Sequence, residues 1–343
     1  MSFSDKILRW YAENKRKLPW RSTIDPYKIW LSEVMLQQTR VAQGLPYYEK
    51  FVEAYPTVFD LAKASEEEVL KLWQGLGYYS RARNMHQTAK KVAEEFNGNF
   101  PNTYAEIVKL KGIGDYTASA IASICFDEQV PVVDGNVYRV LARYFGVDVP
   151  INSNQGIKLF KELAHKVMAK ENIRDYNQGI MEFGAIQCSP KKPACLVCPL
   201  NESCKALEIG MVNKLPVKLK KTKIKVRHFN YLVVLDDFEN TILEQRIGKG
   251  IWQNLYQFPL VESDNELTQK MLLKSLPDFL HGVKEISLFN EKPIVHKLSH
   301  QHLNTKFWIV NIQEIGPDGI SISDLKKYPV PVLISDFIES FNF

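Results

Sequence analysis

Four cysteines grouped in the second half of the chain form its sharpest chemical pattern. Cys188, Cys195, Cys198 and Cys204 are separated by six, two and five residues. Four thiolates at such short spacing can surround a zinc ion as a tetrahedron or hold a [4Fe–4S] cluster. Disulfides are not expected, because an intracellular chain has little use for them. Chance clustering is also a poor explanation for four cysteines within seventeen residues. The fifth cysteine, Cys125, lies in an apolar stretch and is predicted to be an inert core thiol.

Two carboxylates are candidates for acid–base chemistry. Glu33 lies beside Trp30 in a stretch whose apolar residues repeat at helical spacing. A charge on the solvated edge of this helix is the ordinary explanation. The alternative is a buried carboxyl whose pKa is raised, so that it can act as a general acid. Asp134 lies in a turn before a predicted helix, where it would cap that helix, and Asn136 would be an equally good cap.

A glycine turn lies between two predicted helices, at residues 103–110 and 117–126. Gly112 and Gly114 let the backbone adopt left-handed angles and approach a partner closely. The N–H groups of the turn and of the next helix's first turn would face the same way, which makes an anion site that fits a DNA phosphate. An ordinary turn between two helices explains the same residues equally well.

Several aromatic and polar residues have the chemistry to contact nucleobases. Trp20 beside Arg21 forms a stacking platform, and Gln38 and Thr39 offer an amide and a hydroxyl at a predicted helix end. Tyr78 follows two glycines and could wedge between bases. Packing in the protein core is the alternative for the aromatic residues, so these assignments depend on the rest of the chain.

The elements that must position these residues change in type along the chain. The 343 residues, 45% hydrophobic and 24% charged, predict a globular protein of two or three domains. Strand patterns begin near Phe229, after a predicted basic linker at residues 209–227 that either follows a phosphate backbone or is a solvated tether. Helices are predicted at residues 1–18, 27–41, 137–145, 155–170 and 176–186, with short ones between 46 and 98. In the last part, strands are predicted at 230–235 and 241–246, a helix at 267–280, and a hairpin of 294–302 and 305–312 with its turn at 300–304.

Charge also divides the chain. Residues 1–227 hold 34 Lys and Arg against 24 Asp and Glu, whereas residues 228–343 hold 10 against 15. The basic first part is the candidate for binding DNA. The sequence shows no basic start followed by an apolar core and no apolar run near the ~18 residues of a membrane helix. We therefore expect a soluble, intracellular protein; we also expect a monomer of bacterial type that is cytoplasmic and associated with the nucleoid.

Taken in order, these motifs resemble those of the helix-hairpin-helix DNA glycosylases, and within them the adenine-removing branch. The resemblance implies a multidomain protein, with an all-α glycosylase region at 1–208 and a [4Fe–4S] cluster on the four cysteines. It also implies a six-helix lobe at about 20–130 and a second lobe made of about 1–19 and 131–208. The matching segments are Pro19-Trp20-Arg21, Ser32 to Thr39, Gly75 to Tyr79, the glycine hairpin, Val133 to Val137 and the cysteine spacing.

The resemblance also implies a role for each site residue. Glu33 would be the general acid and Asp134 the ionised carboxylate that stabilises the cationic sugar, with Tyr116 and Asn136 holding this carboxylate and the sugar. Tyr116 stands where the endonuclease III branch has its catalytic lysine, so a lyase step is not expected. Residues expected to contact DNA or the base are Trp20, Arg21, Gln38, Thr39, Tyr78, Lys111, Gly112 and Gly114.

Residues 228–343 resemble the Nudix-like domain that reads 8-oxoguanine in this family. Ser299 and His300 match the family's recognition loop, but Leu298 replaces its phenylalanine, and Lys111 replaces the usual proline of the hairpin. No box of clustered glutamates is present, so pyrophosphatase activity is not expected. The implied partner is double-stranded DNA with adenine opposite 8-oxoguanine or guanine. Two rivals are a thymine- or pyrimidine-removing glycosylase and a non-catalytic iron–sulfur DNA-binding protein.

Overall fold

The computed structural model describes residues 1–219, 224–341 and 343, which group into two compact units. The helical unit contains Met1–Lys63 and Asn84–Lys220, and the mixed unit contains Ala64–Arg83 and Lys221–Phe343. Helices before the sheet are α1 Phe3–Asn14, α2 Pro26–Leu36, α3 Val41–Ala54, α4 Val58–Lys63, α5 Glu66–Leu72, α6 Ser80–Glu95, α7 Tyr104–Ile107, α8 Asp115–Phe126, α9 Gly135–Phe145, α10 Asn154–Val167, α11 Ile173–Glu182 and α12 Lys205–Glu208.

Capping and small side chains explain how the helical unit is arranged. Asp25 caps α2 by accepting from the Tyr27 N–H at 3.0 Å, and Pro26 occupies the first helical position, where its missing N–H costs nothing. Helix α8 is buried from Thr117 to Cys125 and is rich in alanine and serine. Because these side chains are short, α2 and α11 pack closely against α8. This packing brings the side chains of three helices to one cavity.

The bounds of the observed helices differ from the predicted ones in several places. The helix predicted at 103–110 is only the single turn α7, followed by turns that lead into the glycine hairpin. Helix α8 begins at Asp115, two residues before the predicted start, because Gly114 is its N-cap. The helix predicted at 176–186 starts earlier, at Ile173, and its last turn widens into a π-helical segment, Phe183–Gln187.

The mixed unit is built on a seven-stranded sheet within the described residues. Its central pair, β1 and β8, is parallel, and the other strands pair antiparallel. Buried apolar side chains from both central strands, such as Leu232 and Trp308, form a core with Leu272 and Leu280. The elements are β1 Lys225–Leu235, β2 Asn240–Thr241, β3 Glu244–Gln245, β4 Tyr256–Gln257, β5 Leu260–Ser263, α13 Gln269–Leu272, β6 Glu285–Leu288, β7 Ile294–Lys297, β8 Gln301–Asn311, β9 Ile320–Ser321 and α14 Val332–Ser340.

Three predictions for this unit need correction. The helix predicted at 267–280 is only the single turn α13, which ends at Leu272, and Pro277 disfavours a helix that would continue from there to residue 280. The predicted hairpin exists, but its turn is at residues 298–300, because β8 already begins at Gln301. Strand β1 begins at Lys225, inside the predicted linker 209–227, and residues 220–223 of that linker lie outside the described residues.

The segment Ala64–Arg83 groups with the sheet, whereas the predicted division placed it in the six-helix lobe. Hydrogen bonds to main-chain groups of the last part of the chain account for this. Lys71 Nζ donates to the Tyr328 carbonyl at 3.0 Å, and the Val330 N–H donates to Gln74 Oε1 at 3.2 Å. In the parts of the chain that the structure describes, none of the helices combines the length and apolarity needed to cross a membrane.

Candidate active site

A cavity of about 170 Å³ in the helical unit is lined by residues of α2, α8, α11 and the segments before α2 and α9. A cavity of about 150 Å³ accepts a benzene ring, so this one has room for a flat ring. The structure brings seven of the predicted site residues to its wall: Trp20, Arg21, Glu33, Thr39, Tyr116, Asp134 and Asn136.

Glu33 is buried in the cavity wall, not placed at the solvated edge of α2. Its exposed fraction is 6%, and Oε2 has no hydrogen-bond partner among the described residues. Burial is the largest cause that raises the pKa of Glu33 to about 7; the charge of Asp134 acts in the same direction, and a hydrogen bond from Tyr116 and the charge of Arg21 oppose the change. A carboxyl group with this pKa can hold and release a proton near neutral pH.

Asp134 is held by three donors at the start of α9. The N–H groups of Asn136 and Val137 each donate to Oδ1 at 2.8 Å, and Asn136 Nδ2 donates to Oδ2 at 2.7 Å. Burial raises the pKa of Asp134, while these bonds and the charge of Arg139 lower it. The residue is therefore both the cap of α9 and a carboxylate of the cavity wall.

The surroundings of the two carboxylates separate their protonation states. Glu33 is buried among apolar helix neighbours, whereas Asp134 accepts from three N–H groups at the positive end of a helix dipole. A single negative charge shared by the pair is therefore more stable on Asp134. The arrangement provides a neutral acid and an anionic partner in one cavity.

Tyr116 lies at the first turn of α8 and faces both carboxylates. Its hydroxyl donates to Met181 Sδ at 3.3 Å and also bonds to Glu33. Burial and the charges of Glu33 and Asp134 raise the pKa of Tyr116 well above its ordinary value. The phenol is therefore neutral and serves as a hydrogen-bond donor within the cavity.

Sequence reasoning missed Glu182 and Arg16, which also line the cavity. Glu182, 1% exposed, accepts from Arg16 Nε at 2.6 Å and from Arg21 Nη2 at 2.7 Å. The hydrogen bonds of the two arginines lower the pKa of Glu182 to about 2 against the effect of burial. This fixed cluster anchors Arg21 beside Trp20, whose ring packs edge-on against Tyr48 at 5.1 Å. Because Glu182 falls within an ordinary helical pattern, its role had no sequence signal.

Arg139 also escaped the sequence analysis, and it links the cavity to the cysteine loop. Its Nη2 donates to Asn136 Oδ1 at 2.9 Å, and its Nε donates to the Cys188 carbonyl at 2.8 Å. Asn136 in turn donates to Asp134. Gly184 packs so tightly here that an added Cβ would lie 2.7 Å from the Asn136 Cβ. Both Arg139 and Arg143 are buried on α9, one helical turn apart.

The four cysteines line one cavity of about 30 Å³, together with Arg143. Arg143 Nη1 donates to Cys188 Sγ at 3.4 Å and to the Ser189 carbonyl at 2.8 Å. Within the described ranges, no group of three or more His, Cys, Asp or Glu side chains is arranged to hold a metal ion. Four cysteine side chains around one cavity are a donor set suited to a zinc ion or to a [4Fe–4S] cluster.

The glycine hairpin has the predicted left-handed backbone at Gly112 but not at Gly114, whose φ of −92° is an extended conformation that any residue adopts as a helix N-cap. Gly112 has φ +77°, and an added Cβ would lie 2.6 Å from the Asn84 Cβ, so only glycine fits. Lys111 and Gly114 are exposed. The Ile113 N–H already donates to the Leu110 carbonyl at 3.1 Å, which removes it from the predicted anion site. The first turn of α8 remains as the source of N–H groups facing solvent.

Gln38 and Thr39 follow α2 at the edge of the cavity. Gln38 is exposed and has φ +59°, a left-handed conformation uncommon for a residue with a side chain. The preceding residue, Gln37, donates from Nε2 to Thr117 Oγ1 at 3.1 Å, which ties this turn to α8. Thr39 reaches the cavity wall, whereas Gln38 does not.

The remaining predicted residues lie in the mixed unit. Leu298, Ser299 and His300 form the β7–β8 turn, in which Ser299 and His300 are exposed. The Tyr78 hydroxyl lies 2.7 Å from Ser299 Oγ. The structure therefore joins Tyr78 and Ser299, which the sequence analysis treated as separate contacts.

Comparison with known proteins agrees with the fold. Residues 31–166 match the HhH-GPD superfamily of base excision DNA repair proteins, and residues 230–340 match the NUDIX domain. The adenine DNA glycosylase of Buchnera aphidicola subsp. Baizongia pistaciae (strain Bp) is 37% identical over 310 residues, 90% of this chain and 86% of that protein. The human adenine DNA glycosylase is 43% identical over 356 residues, 87% of this chain and 65% of that protein.

Solved structures show the same fold. A thermostable thymine-DNA glycosylase is 33% identical with a TM-score of 0.56, covering 60% of this chain and 95% of its own. A trapped endonuclease III–DNA covalent intermediate, 23% identical with a TM-score of 0.53, covers 61% of this chain and 95% of its own. The predicted fold class, a helix-hairpin-helix region followed by a Nudix-like domain, is confirmed.

Proposed function

The chain belongs to the adenine DNA glycosylase family, and from this we propose that it removes adenine from double-stranded DNA in base excision repair. The observation that carries the proposal is the pair of Glu33 and Asp134 in one cavity, the first with a raised pKa and the second held by three donors. Glycosidic bond cleavage needs such a neutral acid and an anionic partner.

We propose that the target is adenine opposite 8-oxoguanine, and also adenine opposite guanine. The exposed Ser299 and His300 at the β7–β8 turn support this, because a hydroxyl and an imidazole can bond to the extra groups of the oxidised base. Leu298 cannot stack on a base as the family's phenylalanine would. The preference therefore depends on the polar contacts of Ser299 and His300.

Adenine would enter the cavity as an extruded nucleotide, since its glycosidic bond is not accessible within the duplex. Trp20 and the Arg21–Glu182 pair would form the wall against which the base lies. Gln38 and Tyr78 would fill space left in the duplex. The hairpin and the first turn of α8 would hold a phosphate of the DNA backbone.

Bond cleavage would begin with proton transfer from the Glu33 carboxyl to a ring nitrogen of adenine. The electron pair of the glycosidic bond leaves with the base, because the added proton makes adenine a neutral leaving group. The sugar then carries positive charge, which the Asp134 carboxylate stabilises directly or through a bond to C1′. Water adds to C1′ and returns a proton to the Glu33 carboxylate.

The reaction would end with base removal. Position 116, where the endonuclease III branch has its catalytic lysine, is a tyrosine in this chain, so a Schiff base between this residue and the sugar is not expected. Tyr116 and Asn136 would instead hold Asp134 and the sugar in a reactive arrangement. The enzyme would therefore be a monofunctional glycosylase.

We also propose that Cys188, Cys195, Cys198 and Cys204 hold a [4Fe–4S] cluster, which fits the shared cavity of their side chains. Bound there, the cluster would cross-link the loop from Cys188 to Cys204, and no redox step is needed for base removal. Lys191 and Lys192 on this loop would then face the DNA backbone.

A single-turnover glycosylase assay tests the proposal. Duplexes would carry adenine opposite 8-oxoguanine, adenine opposite guanine, thymine opposite guanine, and thymine glycol. We expect excision from the two adenine substrates, fastest opposite 8-oxoguanine. Excision of thymine alone would favour the function of the thymine-DNA glycosylase that this chain resembles in structure. Binding without any excision would indicate a non-catalytic DNA-binding protein.

A further inference from the structure

Tyr78 has a backbone conformation that few residues with side chains adopt. Its φ is +49°, and it follows Gly75 and Gly77, whose φ values of +95° and +76° are also in the left-handed region. A strained residue at an exposed loop tip persists only where its surroundings hold it. The Tyr78 side chain is 50% exposed, so the restraint must come from the base of the loop.

Two buried side chains converge on the carbonyl just before Tyr78. Trp73 Nε1 and Arg81 Nη2 each donate to the Gly77 carbonyl at 3.0 Å. The Arg81 N–H also donates to the Tyr78 carbonyl at 2.9 Å. Both peptide groups that flank Tyr78 are therefore fixed by neighbours in the mixed unit.

The guanidinium of Arg81 also contacts the ring of Tyr78. Its Cζ lies 5.1 Å from the ring centroid of Trp73 and 5.4 Å from that of Tyr78, within the range of cation–π attraction. Arg81 is only 8% exposed, so this attraction is weakly screened by water. A planar guanidinium can stack on rings and donate in its plane at the same time, which a lysine ammonium cannot do.

We infer that Arg81 is a positioning residue: it holds the side chains that contact the DNA strand opposite the extruded base. It fixes the Tyr78 ring through stacking and through the Gly77 carbonyl, and the Tyr78 hydroxyl then places the Ser299 hydroxyl at 2.7 Å. Arg81 thereby sets the geometry with which the lesion is distinguished from guanine. This inference rests on the proposed function and names a residue that acts on its specificity.

The test compares Arg81→Met with Arg83→Met in single-turnover assays. Arg83 lies two residues further along the same helix and donates to the Gln253 carbonyl at 2.8 Å, away from the Tyr78 loop. We expect Arg81→Met to lower the ratio of excision rates opposite 8-oxoguanine and guanine about tenfold, mainly through the 8-oxoguanine substrate. Arg83→Met should keep the ratio within about twofold. A ratio unchanged in Arg81→Met overturns the inference.

A double-mutant cycle separates positioning from a general effect on folding. If Arg81 acts through Tyr78, Arg81→Met lowers the ratio no further in a Tyr78→Ala background, because the two substitutions remove one shared interaction. Additive losses would show that Arg81 acts elsewhere and would overturn the inference. Arg81→Lys provides a second variant should Arg81→Met not fold, and its ratio should also fall because lysine cannot stack and donate in the same way.

The two proposals fail in different ways. If the wild-type chain does not excise adenine opposite 8-oxoguanine, the proposed function is wrong. If the wild type discriminates and Arg81→Met discriminates equally well, the function stands and only the role of Arg81 is wrong.

Discussion

The charge of Asp134 raises the pKa of Glu33, so the two carboxylates of the cavity do not titrate independently. Three N–H donors fix the anion on Asp134, while Glu33 has a carboxyl oxygen without a hydrogen-bond partner in the described residues. Protonation of Glu33 therefore removes both the free-energy cost of burying its negative charge and the repulsion between that charge and Asp134. Four of the predictions below concern this pair and the residues around it, and one concerns the β7–β8 turn.

Replacing Glu33 by glutamine should remove excision and leave DNA binding unchanged. Glutamine keeps the shape of the side chain but has no acidic proton, and general acid catalysis contributes about 10²–10⁴-fold. Single-turnover rates and a binding titration on the same duplex measure the two effects. Glu53→Gln, on an exposed position of α3, is the control and should have the wild-type rate. A wild-type rate for Glu33→Gln would contradict the assigned role.

The rate of base removal should fall as pH rises above about 7. The raised pKa of Glu33 means that the carboxyl is protonated below this pH and loses its proton above it. Single-turnover rates between pH 5.5 and 9 should therefore decline about tenfold per unit at the alkaline end. At the acidic end, protonation of Asp134 should lower the rate. A flat profile up to pH 9 would exclude Glu33 as the acid.

Glu33→Gln should also change the dependence of stability on pH. The pKa of Glu33 is raised on folding, so its contribution to stability is complete below the unfolded pKa and is lost as pH rises through about 7. Glutamine does not titrate. Between pH 5.5 and 8.5 the variant should gain about 2 kcal/mol in free energy of unfolding relative to wild type, from 1.36 kcal/mol per pKa unit. Urea unfolding at both pH values measures this, and a constant difference would argue against a buried acid.

Replacing Ser299 and His300 together by alanine should weaken the preference for 8-oxoguanine over guanine opposite adenine. The substitutions remove two exposed polar groups at the β7–β8 turn and leave the helical cavity intact. The ratio of single-turnover rates is the measurement, with His281→Ala in another exposed loop as the control. An unchanged ratio would mean that the mixed unit reads a different feature of the DNA.

Arg139→Met should impair both base removal and retention of the cysteine-bound group. Arg139 donates hydrogen bonds both to Asn136 and to the Cys188 carbonyl. Asn136 in turn donates to Asp134, so Arg139 connects the cavity carboxylate with the cysteine loop. Loss of such a supporting partner costs about 10–100-fold in activity or metal affinity. Excision rate and iron content per chain are the measurements, and Arg9→Met on the exposed face of α1 is the control. Full activity with full iron content would show that the link is not needed.

The sequence predicted the parts of the site that depend on residue type and short spacing. The four cysteines, the left-handed turn at Gly112 and the capping position of Asp134 are all local patterns, and the structure has them where expected. The burial of Glu33 was foreseen only as an alternative, because an apolar stripe does not show which neighbouring helix covers its edge. Small residues along α8 decide this by letting α2 approach.

Other parts could not be predicted because they depend on contacts distant in sequence. Glu182 meets Arg16 and Arg21 more than 160 positions away. The segment Ala64–Arg83 joins the mixed unit through main-chain carbonyls near the end of the chain, and any residue supplies a carbonyl. Neither contact leaves a pattern in the nearby sequence.

Asp134 caps α9 with its carboxylate, and the mechanism proposed above uses the same carboxylate, which affects how variants at this position would be interpreted. Asp134→Ala removes the cap of α9, which costs about 0.5–2 kcal/mol, and would be scored as a folding defect. Asp134→Asn retains a capping side chain and would pass a screen that counts only protein abundance. Both variants would nevertheless lack the negative charge, so under the proposed mechanism cells with the second would leave mispairs unrepaired while making a normal amount of protein.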